Sequence, residues 1–213
     1  MDGLDNYKKA WGNQPEESGK LSSKEIYNLA HSKSSSIVKW IFIIGILEII
    51  FWTAINFMVP ESFYQVYKDL ELMNYLNIFM VLHYIIIVIF LVLFYQNYKR
   101  VTLLDNTKKL IQKILRVRKT VKYYVFYNLA TVFLSSIIIN IIMFSDSTKL
   151  MKIMNPSNSA LDINQVITVT VISQIIALLI ILVLLWLFYR LVYGILLRKL
   201  NKNYKELVKL NDL

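Results

Sequence analysis

The sequence predicts an all-α polytopic membrane protein, with four antiparallel transmembrane helices and cytoplasmic amphipathic helical extensions. Three observations predict it. Hydrophobic residues make up 56% of the 213-residue chain and charged residues only 18%, where soluble domains carry nearer a quarter; mean hydropathy is +0.49. Four apolar runs reach the roughly 20 residues needed to cross a hydrocarbon core. Of the 24 Lys and Arg, 21 fall in the segments that alternate crossings put on one side. The chain has no cysteine, five glycines and three prolines. That composition excludes a disulfide scaffold, a thiolate metal centre and a collagen-like repeat.

The N-terminal 39 residues form a separate polar segment. Leu4, Tyr7 and Trp11 share a helical face, and Asn13-Gln14-Pro15 ends that short helix. Ser22 followed by Glu25 has capping-box spacing, which marks the start of a second helix. Ile26, Leu29 and Ala30 give it an apolar stripe, and it can run through SKSSS into the first span. A solvated tail that only sets topology is the alternative.

The spans follow at about 40–59, 74–96, 123–144 and 166–189. None alternates polar and apolar residues as a barrel strand does, and only a helix or a closed barrel satisfies its backbone in lipid. The first run is too long and too late in the chain for a cleavable signal, so all four are expected to be retained. Residues 1–39, 97–122 and 190–213 hold six, nine and six Lys/Arg, whereas 60–73 and 145–165 hold one and two. The positive-inside rule then places both termini in the cytoplasm. Trp40, Tyr95, Tyr123, Tyr124, Trp186 and Tyr189 sit at span ends on that side, as interfacial aromatics do. The net charge of +10 is thus a topology signal spread along membrane edges, and no nucleic-acid partner is expected.

Two basic amphipathic segments follow the second and fourth spans. In 101–122, Leu103, Leu110, Ile114, Val117 and Val121 line one face, opposite Lys108, Lys109, Lys113, Arg116 and Lys119. In 190–213, Leu200, Tyr204, Leu207 and Val208 are flanked by Lys202, Lys205 and Lys209. The lysines and arginines are candidate inner-leaflet contacts, each contributing about 1 kcal/mol beside an anionic surface. The segments lie on the leaflet, extend their spans, or pack on one another.

Within the spans, Glu48 is the exceptional residue: a charged group at the centre of a membrane helix costs about 3 kcal/mol on insertion scales and usually faces a bundle interior or wet cavity. Gly45, Glu48, Trp52 and Asn56 fall on one stripe. His83 and Gln174 have similar expected depths, which suggests an interhelical hydrogen bond between them. Asn128 with Thr131 and Ser135, and Thr170 with Ser173, Gln174 and Ala177, read as helix–helix contacts or as a substrate path. Glu48, Asn56, His83, Asn128 and Gln174 form the candidate intramembrane site. No cofactor is expected, since there is no phosphate loop, no Ser/His/Asp set and only two histidines.

LDNYKKAWGNQ near the start, and LSSKEIYNLAHSKSSSIVKWIFIIGILEIIFW leading into the first span, carry a resemblance to a family of small four-span membrane proteins of flavobacteria and their relatives. Members are sometimes labelled beta-carotene monooxygenases. The soluble enzymes that label evokes bind iron through four histidines, two more than this chain has. The resemblance implies a bacterial inner membrane, and it assigns no site residue.

The expected function is non-catalytic: a docking or regulatory membrane protein, with Tyr7, Trp11 and Tyr27 presented to a cytoplasmic partner and the basic segments facing that partner or the lipid. A small channel or transporter subunit using Glu48 and His83 is the alternative, and an intramembrane enzyme stands last. A second copy of the chain is a further expected partner.

Overall fold

The computed structural model describes residues 22–69, 71–102, 106–145 and 163–211. The fold is all-α, with five helices and no strand among the described residues: α1 (Ser23–Met58), α2 (Glu61–Asp69), α3 (Met73–Thr102), α4 (Thr107–Ser145) and α5 (Ile163–Asn211). All but α2 are long and apolar enough to cross a membrane, which makes the chain an integral membrane protein. Tyr7, Trp11 and Leu103 lie outside the described residues.

The α1 N-terminus closes with the reciprocal capping box: the Ser22 hydroxyl accepts from the Glu25 N–H, and the Glu25 carboxylate accepts from the Ser22 N–H at 2.8 Å. Two backbone donors that the first turn would leave open are satisfied. These bonds hold the Glu25 carboxyl below its ordinary range. At the other end Val59 precedes Pro60 and is pushed to extended geometry (φ −70°, ψ 122°), so the helix stops.

The short connection at 60–73 contains α2, which hydrophobic-run counting passes over because nine residues are too few to span. It ends in a Schellman turn: the Leu72 N–H donates to the Tyr67 carbonyl, the Glu71 N–H to that of Lys68, and Glu71 adopts φ 59°. Leu72 then packs with Tyr67, Met143 and Ile167. Thus α2 is fastened onto the far ends of α4 and α5.

Helices α1, α3, α4 and α5 form an antiparallel ring in which each touches the two beside it. Gly45 permits the closest approach. A Cβ there would come within 3.2 Å of Phe94 Cδ2 and 3.4 Å of Leu91 Cδ2, so the Phe94 and Leu91 side chains of α3 rest directly against the α1 backbone.

The basic segments are continuous with the spans. No break occurs at 39–40, 122–123 or 189–190, and α1, α4 and α5 are 36, 39 and 49 residues long. At the end carrying the first and last described residues, Ala30, Val38, Val101, Leu110, Ile114, Val117, Val121, Leu200 and Leu207 are each at most 1% exposed. The apolar stripes of the two basic segments therefore pack on each other and on α1. Inside the spans the pattern inverts, and Leu47, Ile50, Ile85, Ile138, Leu179 and Leu184 are all over half exposed. In lipid such side chains meet chain tails as apolar as themselves, so nothing drives them inward.

Cross-helix pairs set the register. Asn203 Nδ2 donates to the buried Ser34 hydroxyl at 3.1 Å, and Asn97 Nδ2 to Thr120 Oγ1 at 3.0 Å. With Tyr189 and Tyr193 bonded to Glu48, the level of Trp40 falls on α5 roughly two and a half turns beyond Tyr189. The ends of the apolar runs are therefore not level with one another.

Candidate functional site

The Glu48 stripe of α1 faces inward. Glu48 is 4% exposed, and its two carboxyl oxygens accept from the Tyr189 hydroxyl at 2.7 Å and the Tyr193 hydroxyl at 2.9 Å. The tyrosines are four residues apart, one helical turn, so both hydroxyls meet one carboxyl group. Tyr124 packs edge-on against both rings, and Phe90 and Phe94 pack edge-on against Tyr124. This cluster ties α1 to α5 and fills the ring of helices at one level.

On its other side the Glu48 carboxyl opens into a cavity. One lobe, about 300 Å³, is lined by Glu48, Trp52, Asn56, His83, Tyr84 and Asn128 among others. A second, about 370 Å³, shares Trp52, His83 and Asn128 and reaches Thr131, Ser135 and Tyr189. A third, about 560 Å³, continues from Ser135 past Asn140 and Gln174 to Ser62 and Tyr67 of α2. All four long helices contribute to the second lobe, so the space lies within the ring.

The candidate residues are distributed along this space. His83 Nδ1 is 3.0 Å from the Tyr127 hydroxyl, with the rings stacked at 5.7 Å. The expected His83–Gln174 bond does not form. Gln174 Nε2 instead points to Met143 Sδ at 3.8 Å, and its Oε1 is buried with no partner. The reason is register: depths counted from the ends of the apolar runs place Gln174 level with His83, whereas α5 is displaced and carries Gln174 nearer the α2 end. Asn56 Oδ1 accepts from the Tyr64 hydroxyl at 3.2 Å, joining α1 to α2.

The polar residues expected to bridge helices largely bond their own backbone. Asn128 donates to the Tyr124 carbonyl, Ser135 to Val132, Asn140 to Ser136, Thr170 to Val166 and Ser173 to Thr170. Such local bonds satisfy a donor without a second helix. Among the described residues no group of three or more His, Asp or Glu is placed to hold a metal ion.

Sequence reasoning passed over the tyrosines. Tyr124 and Tyr189 read as interfacial aromatics, and Tyr193 and Tyr127 drew no attention. The available signal was the one-turn spacing of Tyr189 and Tyr193, on a helix able to face a buried acid.

The second candidate surface is the basic exterior at the terminal end. Lys108, Lys109, Arg116, Lys119, Lys202 and Lys205 are exposed. Lys113 instead donates to the Arg100 carbonyl near the end of α3, a structural role beside that helix's negative pole. Arg118 lies over the Tyr204 ring at 5.9 Å. Tyr27 is half-buried and stacks on His31 at 6.0 Å, so it belongs to the packed bundle more than to a free docking strip. A groove of about 490 Å³ between α1 and α5 is lined by Ser32, Lys33, Ser36, Lys199, Lys202 and Glu206 among others.

No curated protein and no solved structure matches the chain. A family model described as a domain of unknown function (DUF8845) matches residues 24–212, which takes in the Glu48 cluster and the basic bundle, and the chain belongs to that family.

Proposed function

We propose that the chain is a non-catalytic docking protein of a bacterial inner membrane. The terminal end faces the cytoplasm, and its rigid basic bundle receives an acidic protein partner. The observation that carries this reading is the packed core of the terminal-end bundle. A segment that merely set topology needs no such core, and here nine side chains are sealed in it.

Distance from the leaflet supports a protein occupant for the outer part of the basic surface. Along the helices from the level of Trp40, Lys119 lies about 2 Å out, and Arg116 and Lys202 about 6 Å. Lys205 lies about 11 Å out, and Lys108 and Lys109 about 16–18 Å. The field of an anionic leaflet decays over a Debye length of about 8 Å at physiological ionic strength. The first three residues therefore serve the leaflet, and the last three stand beyond its reach, where an acidic protein surface is the available counter-charge.

The test is co-purification of the full chain from native membranes. The triple variant Lys108→Glu, Lys109→Glu, Lys205→Glu should lose an acidic partner that the wild type retains in stoichiometric amount, and Lys119→Gln should keep it. Retention by the triple variant overturns the proposal. A second reading, a small channel or transporter subunit, draws support from the cavity beside Glu48. Proton or cation flux in proteoliposomes that stops in Glu48→Gln would favour it, and flux no greater than through bare lipid would remove it.

A further inference from the structure

The cavity over Glu48 has a chemistry that the docking reading does not use. Its first two lobes are lined by one carboxyl group, by the aromatic faces of Trp52, Tyr84, Tyr124, His83 and Phe79, and by aliphatic side chains. No lysine or arginine lines either lobe. An anionic guest would meet a like charge and no compensating cation.

The Glu48 carboxyl accepts from Tyr189 and Tyr193, and Tyr124 and Trp52 are further donors beside it. It also lines the first lobe, so these donors fix its orientation at the cavity wall before a guest arrives. Aromatic rings around a cation contribute about 0.5–2 kcal/mol each, more where water is excluded. Asn128, whose amide donates to the Tyr124 carbonyl of its own helix, adds a polar side chain to the wall of both lobes. The combined space of the two lobes falls within the range of small-molecule sites, roughly 300–1,000 Å³.

We propose that this cavity binds a monovalent organic cation with an apolar body. The charged head lies against Glu48, and the body lies among Trp52, Tyr84 and His83. The specificity is for an ammonium-type charge joined to a hydrophobic group. A hydrated inorganic ion gains little from aromatic walls, and an uncharged hydrocarbon gains nothing from Glu48.

The experiment is equilibrium dialysis of benzyltrimethylammonium against the full chain in nanodiscs, with empty nanodiscs subtracted. Benzenesulfonate serves as the probe of opposite charge. Saturable binding near one cation per chain is expected, with no binding of benzenesulfonate. Glu48→Gln keeps the shape and an acceptor for tyrosine, and should weaken the cation at least tenfold. Tyr84→Leu removes an aromatic wall of the first lobe from a residue that bonds Thr53 and not Glu48, and should weaken it severalfold, so the proposal stands or falls on that variant if Glu48→Gln does not fold. No saturable binding to the wild type, equal binding of benzenesulfonate, or unchanged affinity in the two variants overturns the proposal. Occupancy is read directly, so the result is independent of whether the basic bundle docks a partner.

Discussion

Glu48 is held by tyrosine hydroxyls on α5, and the cost of disturbing that grip follows from what remains buried. Tyr189→Phe or Tyr193→Phe removes one donor and leaves the carboxyl with the other. Each should destabilise the protein in detergent by about 1–2 kcal/mol, read as a lower thermal midpoint. The double variant strips the group of both and should cost more than the sum of the singles, because neither tyrosine then compensates for the other. The Ser22–Glu25 box makes a different prediction. Its bonds depress the folded-state pKa of Glu25, so its contribution is present above the ordinary carboxylate range and is lost as pH falls through the depressed value. Amide exchange in the first turn of α1 should therefore quicken at acid pH, relative to the next turn, and Glu25→Gln should abolish that dependence. Glu48 as the anomalous residue and Ser22–Glu25 as a cap were both legible in the sequence, since each is a local signal. The partners of Glu48 were not. They lie over 140 residues away along the chain, and the one-turn spacing of Tyr189 and Tyr193 marks a pair among 14 tyrosines without saying which helix face turns inward.

Among the elements, the long helices carry two kinds of apolar surface that composition does not separate. Ile114 is fully buried in the terminal-end bundle, whereas Ile138 is 54% exposed in the span of the same helix. Ile114→Ala should cost about 2–5 kcal/mol, as large-to-small changes in packed cores do, and Ile138→Ala should change the thermal midpoint little. Gly45→Leu drives a side chain into Phe94 and Leu91 where α1 and α3 touch. Overpacking of this kind costs about 1–3 kcal/mol, and the variant should show a lowered midpoint in the same assay. The spans were readable because lipid demands long apolar runs, and the amphipathic stripes of the basic segments were readable from their spacing. Their mutual packing was left as one of three outcomes, because an apolar stripe fits a leaflet or a neighbouring helix equally well. Helix α2 was missed because its nine residues signal through a capped turn at Glu71 and Leu72, and not through hydrophobic length.

Across the whole molecule, the natural lack of cysteine makes orientation directly testable with introduced thiols. Phe63→Cys on α2 should react with a membrane-impermeant maleimide added outside intact spheroplasts, and Lys109→Cys should react only after lysis. The reverse pattern would refute the cytoplasmic placement of the basic bundle. The count and antiparallel order of the helices could be read from the sequence, because apolar runs and charge asymmetry are properties of segments. The vertical register could not, because the end of an apolar run does not say where a helix meets its neighbours. The unbroken passage of α5 from the cavity to its last turn has a mechanical consequence. A helix is a stiff rod, and the portion of α5 beyond Tyr193 is about 27 Å long. It is pinned twice, at its tyrosines on Glu48 and a few turns on at Asn203, which bonds Ser34. With Leu200 and Leu207 sealed between its neighbours, the acid and the far lysines share one continuous strut with no loop or hinge in between.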